Sequence, residues 1–369
     1  MKVLLPPARL GIMGSGQLGR MFTQRALEKG YSVSVYSPES NTPAGKVGAN
    51  EFVGSYTDFI ALRNFLDNID SLSFEFENIP DETLRFLETY ANKYSLRIHP
   101  SPESIRISQN RNTEKKYFQK IGIPTTKFKT IGPGPFRKSS LRGLRFPIIM
   151  KTIQFGYDGK GQKKFETPED LEEYLKEGIT EEYILEEVIL FDREVSVIGA
   201  RIGGKNFIYP PSENIHRNHI LDQTIHPANI SPGMKKKLIG YTELLLEKLD
   251  YTGVLGFEFF IRGRKIFANE FAPRPHNSGH YTQNAANFSQ FEMQLFAMTD
   301  VLPLSKLKTQ NCTMKNIVGG NFFQKEDLQK YLNSENVYLH LYGKDEIREG
   351  RKMGHINIVG NSDKLNFDF

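Results

Sequence analysis

Two glutamates carry the strongest chemical signal in this sequence. The runs Leu255-Gly256-Phe257-Glu258-Phe259-Phe260 and Phe267-Ala268-Asn269-Glu270-Phe271-Ala272 flank Arg262-Gly263-Arg264, the spacing of two apolar strands joined by a tight turn. Folded as a hairpin, they set Glu258 beside Glu270 on neighbouring strands, among Phe, Ile and Ala. Two carboxylates in such surroundings call for a cation. Magnesium takes one or two carboxylates and completes its shell with substrate phosphates, so the pair fits the metal end of a nucleotide site. On the hairpin alone, the competing account is one ion-paired glutamate and one solvated at a rim.

The residues after Glu270 favour an anionic ligand. Arg274, His276, Asn277, Ser278 and His280 crowd around two prolines and Gly279, with many donors and no hydrophobic period. A polar loop at the end of a strand is where α/β proteins bind ligands.

Three further segments have chemistry in their spacing. Arg9 to Met13 is a short apolar run leading into Gly14-Ser15-Gly16-Gln17-Leu18-Gly19, then a helical pattern from Met21 to Lys29 and a second strand from Tyr31 to Tyr36. The glycines let a phosphate approach a helix N-terminus. A dinucleotide would need an acidic residue at the end of the second strand, which instead reads Tyr36-Ser37-Pro38, so a small phosphorylated ligand on the same turn is preferred to NAD. Ser71 to Asn78 alternates Phe with Glu, which predicts Glu75 and Glu77 on one face of a strand, either solvated or turned to a ligand. Phe146 to Lys151 is an apolar strand ending in a lysine, followed by Gly156-Tyr157-Asp158-Gly159-Lys160-Gly161-Gln162. That loop lacks P-loop spacing, but its three glycines suit backbone amides closing over a polyphosphate; a plain hairpin is the alternative.

The elements that must position these groups alternate between strand and helix. Tyr183 to Ile189 reads as a strand running into a turn and Asp192 to Ile198 as the return strand, with Glu194 placed for a ribose. Met234 to Leu249 is helical, and a basic turn, Gly350-Arg351-Lys352-Met353-Gly354, separates two late strands. Gly132-Pro133-Gly134-Pro135 suits a connection between domains. With 369 residues, 38% hydrophobic and 25% charged, the chain has material for two or three cores, which excludes disorder and collagen. A net charge of +5 with one short basic run, Lys235-Lys236-Lys237, argues against nucleic acid. No apolar stretch is long enough to span a membrane. Cys312 is the single cysteine, so an intrachain disulfide is excluded and a reducing cytoplasm is expected.

Taken together, the lysine-ending strand, glycine loop, Glu-rich linker and paired glutamates resemble the ATP-grasp superfamily. Gly14 to Met21, Glu75-Phe76-Glu77-Asn78, Gly156 to Gln162, Arg274 to His280, Ser289-Gln290-Phe291-Glu292 and Gly350 to His355, in this order, are similar to the branch that carboxylates aminoimidazole ribonucleotide in purine biosynthesis. The resemblance implies an α/β fold: an N-terminal open parallel sheet over 1–110, an ATP-grasp domain over 111–302 with a lid subdomain at about 120–190, and a small C-terminal cap over 303–369. It implies that Arg111, Lys151, Gly156, Tyr157, Asp158, Gly159, Lys160, Gly161, Gln162, Glu186, Glu187, Val188, Ile189, Glu194, His216, Asn269 and Glu270 contact ATP, and that Glu258 and Glu270 bind Mg2+, with Mn2+ as an alternative. Gln17, Leu18, Glu75, Arg274, Lys344, Arg351 and Lys352 would hold the ribonucleotide, with Asp158, Arg274, His276 and Lys352 at the chemistry. Bicarbonate is the implied second substrate and a homodimer the implied assembly. Ser15, Ser37 and Asn218-His219 depart from a glycine, an aspartate and an Asp-Gly frequent in the branch. The rivals are a sister ligase acting on glycinamide ribonucleotide with formate, an NAD-dependent oxidoreductase, and a nucleotide sensor without turnover.

Overall fold

The computed structural model describes residues 3–154, 161–319, 329 and 331–360. The loop residues 155–160 lie outside it, and with them the expected nucleotide contacts of Gly156, Tyr157, Asp158, Gly159 and Lys160.

Strands β1 (Arg9–Met13), β2 (Ser32–Ser37), β3 (Asn50–Val53), β4 (Ser71–Phe74) and β5 (Arg97–Ile98) form an all-parallel sheet in the order β3-β2-β1-β4-β5. Near-continuous apolar runs such as Leu10 to Met13 are buried on both faces, as a parallel sheet between helices requires. The intervening helices are α1 (Gln17–Glu28), α2 (Phe59–Leu66) and α3 (Asp81–Tyr94), followed by α4 (Pro102–Gln109) and α5 (Arg111–Lys120). Asp58, Ser101 and Asn110 cap α2, α4 and α5 through their side chains. α1 has no side-chain cap of its own, and the consequence appears at the site.

A second sheet, β6 (Phe128–Ile131), β7 (Ile148–Thr152), β8 (Gln162–Phe165) and β9 (Tyr183–Glu187), is ordered β6-β9-β7-β8 and carries α6 (Pro168–Tyr174). The third contains β10 (Arg193–Ile202), β11 (Lys205–Ile208), β12 (Ser212–Arg217) and β13 (Ile220–His226), then α7 (Pro232–Lys248), β14 (Gly253–Arg262) and β15 (Lys265–Ala272). The expected hairpin across residues 183–198 is not what forms. β9 pairs with β6 and β7, whereas β10 pairs with β14, β12 and β11. Two apolar strands close in sequence read as a hairpin, but each finds its partners in a different sheet, so Val188 to Asp192 becomes the crossing between them.

After α8 (Thr282–Ala285) and α9 (Gln290–Thr299), strands β16 (Cys312–Val318), β17 (Val337–Leu341) and β18 (Lys352–Val359) continue the third sheet through β13, giving it nine strands among the described residues. The motif Ser289-Gln290-Phe291-Glu292 is in part a capping box: the Ser289 side chain accepts from the Glu292 amide while Glu292 accepts from the Ser289 amide. It starts a helix that is buried on two faces. Phe291, Leu295 and Met298 pack in the core of α1 and the parallel sheet; Met293 and Ala297 pack with Ile198, Ala200 and Val254 of the nine-stranded sheet. α9 therefore fixes the two sheets against each other. Among the described residues no helix is long and apolar enough to cross a membrane.

Candidate active site

The glutamate pair is built as its sequence predicts, with one refinement. β14 and β15 pair antiparallel, but the register shifts between Phe257 and Phe259, so Phe257 opposes Phe271 and Phe259 opposes Ala268. The bulge places Glu258 against Asn269 and Glu270. Phe257 and Phe259 point the other way into the core with Phe118, Leu238 and Leu245, which sends Glu258 to the cleft side. Asn269 Nδ2 donates to Glu258 Oε2 at 3.3 Å, and His276 Nε2 is 3.4 Å from Glu258 Oε1. Burial, then the neighbouring Glu270 and Glu194 carboxylates, push the Glu258 carboxyl well above the usual range. Such crowding is relieved by a cation. The oxygen donors present suit magnesium, which needs only these two carboxylates when phosphates supply further ligands. Among the described residues no group of three or more His, Cys, Asp or Glu is arranged to hold a metal alone.

Across the cleft, the four-stranded sheet presents Lys151 from β7 and Glu186 from β9, 2.9 Å apart. Glu186 is buried. Burial opposes its ionisation, yet Lys115 and Lys151 hold its carboxyl at about 2. Arg111, at the start of α5, donates through Nη1 to the Thr152 carbonyl. Where β9 passes into the crossing, the amides of Glu187 and Val188 are bonded to the carbonyls of Lys127 and Pro147, so they are not the groups that would pair with a base. Phe191 stacks on Phe260 at 4.7 Å, and Glu194 Oε2 lies 3.1 Å from His216 Nδ1. The carbonyl of Gly161 accepts from the Thr152 amide.

At the parallel sheet the expectation for Glu75 and Glu77 needs correction. β4 ends at Phe74, so the two glutamates lie in the following loop and do not share a strand face. Glu75 accepts from the amides of Gly16 at 2.6 Å and Leu18 at 3.0 Å, providing the cap that α1 lacks. The glycine turn is thus filled by the protein's own carboxylate, and a phosphate on that same turn is not what the structure supports. Gly14, at φ +108°, and Gly16 are required here: a Cβ on either would come within about 2.7 Å of Glu75. Ser15 and Ser37 are bonded at 2.7 Å, and Ser37 donates onward to the Glu39 carbonyl, so the two departures from the related branch sit together as one buried link. Glu77 grips Arg274 through two bonds, Nε to Oε2 at 2.7 Å and Nη2 to Oε1 at 3.3 Å.

The Arg274 to His280 loop is fixed from below by Gln290. Its side chain accepts from the His276 amide, donates to the His276 carbonyl, and lies 3.0 Å from His280 Nδ1. Burial, then the charges of Arg274 and Lys352, push the His276 imidazole well below its usual range and keep it neutral. On the far wall, Lys344 donates to the Lys352 carbonyl, and Arg351 donates to the Glu346 carbonyl. Burial, then Arg351, lower Lys344 to about 8.

One cleft of about 1520 Å³ joins these walls. It is lined by Gln17, Leu18, Glu75, Arg111, Lys151, Gln162, Glu186, Glu187, Val188, Ile189, Glu194, His216, Glu258, Asn269, Glu270, Arg274, His276, Lys344, Arg351 and Lys352, the expected site residues among those described, with the exception of Gly161. Sequence reasoning missed Glu77 as the partner of Arg274, and Glu114 and Lys115 altogether. The last two had a signal: they precede Phe118 by four and three residues and so share its buried helical face.

Known proteins bear on this geometry. The ATP-grasp domain family matches residues 116–291, the ribonucleotide synthetase preATP-grasp domain residues 8–109, and the phosphoribosylaminoimidazole carboxylase C-terminal domain residues 312–365. The N5-carboxyaminoimidazole ribonucleotide synthase of Bacillus subtilis (strain 168) is 36% identical over 97% of this chain and 93% of its own. A crystal structure of an ADP complex of N5-carboxyaminoimidazole ribonucleotide synthetase superposes with a TM-score of 0.89 at 37% identity, covering 98% of this chain and 94% of that one. The Aspergillus clavatus N5-carboxyaminoimidazole synthase, in complex with ADP and 5-aminoimidazole ribonucleotide, superposes with a TM-score of 0.84 at 28% identity, covering 96% and 94%.

Proposed function

The chain belongs to the N5-carboxyaminoimidazole ribonucleotide synthase family of ATP-grasp ligases, and on that premise we propose that it carboxylates 5-aminoimidazole ribonucleotide with bicarbonate, driven by ATP, in de novo purine biosynthesis. The products are N5-carboxyaminoimidazole ribonucleotide, ADP and phosphate. The observation that carries this reading is the cleft in which paired carboxylates, a lysine from a second sheet and a cationic far wall face one another.

ATP lies between the two sheets of the ATP-grasp domain, with Arg111, Lys151 and Glu186 to Ile189 on one side and Glu194, His216, Asn269 and Glu270 on the other. Glu258 and Glu270 would hold magnesium, which would supply positive charge to offset that of the transferring phosphoryl group. A bicarbonate oxygen attacks the γ-phosphorus and ADP leaves, giving carboxyphosphate. Lys151 opposes the negative charge that develops. The exocyclic amine of the ribonucleotide then bonds to the carboxyl carbon, directly or after CO2 is released. The carbon–oxygen bond to phosphate breaks, and the amine gives up a proton. His276, kept neutral, is able to accept it. Arg274, held by Glu77, steadies the carboxylate being transferred, while Lys344, Arg351 and Lys352 take the ribose 5-phosphate. The enzyme acts as a homodimer in the cytoplasm, a setting consistent with its one buried thiol.

The route through carboxyphosphate is tested with bicarbonate labelled in oxygen. Bond formation at phosphorus and cleavage at carbon leave one bicarbonate oxygen on inorganic phosphate at each turnover. Unlabelled phosphate from a reaction run in unlabelled water would contradict the route.

A further inference from the structure

β15 is an outer strand of the nine-stranded sheet, and beside Glu270 its free edge is closed by side chains of α5. Glu114 accepts from the Phe271 amide at 2.7 Å, and Lys115 Nζ donates to the Asn269 carbonyl at 3.2 Å. Backbone groups buried at such an edge need partners, and the Glu-Lys pair supplies an acceptor and a donor on either side of Glu270. Lys115 reaches further. Its Nζ lies 3.4 Å from Glu186 Oε1, while the other oxygen of that carboxylate is 2.9 Å from Lys151 Nζ. Lys115 is 2% exposed and does not line the cleft, whereas Lys151 does.

A buried ammonium is costly, so its place needs a reason. Counting charge supplies one. Glu186 stands between two ammonium groups, and the three together carry one net positive charge. Because Lys115 is sealed in the core, that excess is felt in the cleft through Lys151. Without Lys115, the Glu186 carboxylate is left to Lys151 alone: the pair is neutral, and Lys151 is held to the wall. Arg111, Glu114 and Glu270 add to the local field, and they remain the same in both cases.

We infer that Lys115 is a positioning residue for the nucleotide: by sharing the charge of Glu186 it leaves the Lys151 ammonium with net positive charge to offer polyphosphate, and through the Asn269 carbonyl it ties the backbone at Glu270 to the same carboxylate. The inference deepens the reading of the cleft as an ATP site and rests on it.

The test is equilibrium binding of ADP with magnesium to the full chain, measured calorimetrically for wild type, Lys115→Met and the double variant Lys115→Met/Glu186→Gln. Binding of aminoimidazole ribonucleotide is measured in parallel, and thermal unfolding confirms that each protein is folded. Lys115→Met should bind ADP at least about tenfold more weakly, the order expected for losing one favourable charge near a phosphate. Adding Glu186→Gln removes the carboxylate that captures Lys151 and should recover a large part of that loss, with ribonucleotide affinity unchanged throughout. A role confined to packing would give no recovery in the double variant, or a matching loss for the ribonucleotide, and either result overturns the inference. So does wild-type ADP affinity in Lys115→Met. Should Lys115→Met fail to fold, Lys115→Gln, neutral but able to keep the bond to Asn269, carries the same comparison. Wild-type protein that binds no ADP would instead remove the nucleotide reading itself.

Discussion

At the scale of single residues, the cleft works by charges brought close together. The bulge sets Glu258 against Glu270, and on the proposed metal assignment removing one of the two carboxylate ligands takes away several kcal/mol of transition-state stabilisation. Glu270→Gln should therefore lower ATP turnover by at least about a hundredfold while the protein stays folded, checked by ADP release alongside thermal unfolding. Near wild-type turnover would refute the metal assignment. Lys344 gives a prediction with pH. Its ammonium, lowered to about 8, is charged below that pH and neutral above it. A 5′-phosphate is attracted by the charged form, so KM for the ribonucleotide should be flat up to about pH 8 and climb above it. Lys344→Arg keeps its charge at every accessible pH and should flatten the climb. An unchanged profile in that variant would remove Lys344 from the phosphate site.

Elements explain which of these residues were legible in the sequence. The β14–β15 hairpin was, because two apolar runs flank an Arg-Gly-Arg turn; the bulge that sets Glu270 beside Glu258 was not, since the unbroken register from the turn would oppose Glu258 to Asn269 alone. Glu75 and Glu77 were misplaced because alternation continues past the point where pairing stops. The amides at the start of α1 capture Glu75, and Arg274, almost two hundred residues away in sequence, captures Glu77. Glu114 and Lys115 were passed over since charged residues on a helix are ordinarily solvated; the free edge of β15 and, for Lys115, Glu186 of β9, all tertiary features, give them partners. The β12–β13 turn shows the reverse, a departure the structure explains locally. Asn218 and His219 have φ of 49° and 64°, the left-handed pair that a two-residue hairpin needs and that Asp-Gly satisfies readily. Asn tolerates that region, whereas His219 is strained in it. His219→Gly should stabilise the protein by about 0.5–1 kcal/mol in a urea titration. A loss of stability would show that the His219 side chain contributes more than its backbone costs.

At the scale of the whole molecule, three sheets meet at one cleft because α9 is buried against two of them and the crossing from β9 to β10 joins the third. Such an interior carries neutral histidines, and they make stability depend on pH. His226 is buried, stacked on Tyr281 at 4.1 Å, and burial lowers it to about 3. Below its ordinary value near 6.5 the unfolded chain takes up a proton that the folded chain does not, so its contribution to stability is complete above about pH 6.5 and is lost as pH falls. Between pH 6.5 and 5 the slope of stability against pH should thus be smaller in His226→Gln than in wild type, by up to about 1.4 kcal/mol per pH unit. Equal slopes would mean that this histidine is already charged in the fold. The central claim concerns what the assembled cleft does, and one measurement reaches it most directly: ADP release by the purified protein with each acceptor offered in turn. Release should require bicarbonate and aminoimidazole ribonucleotide together and should not be stimulated by formate with glycinamide ribonucleotide. Stimulation by the formate pair, with none by bicarbonate and aminoimidazole ribonucleotide, would contradict the account.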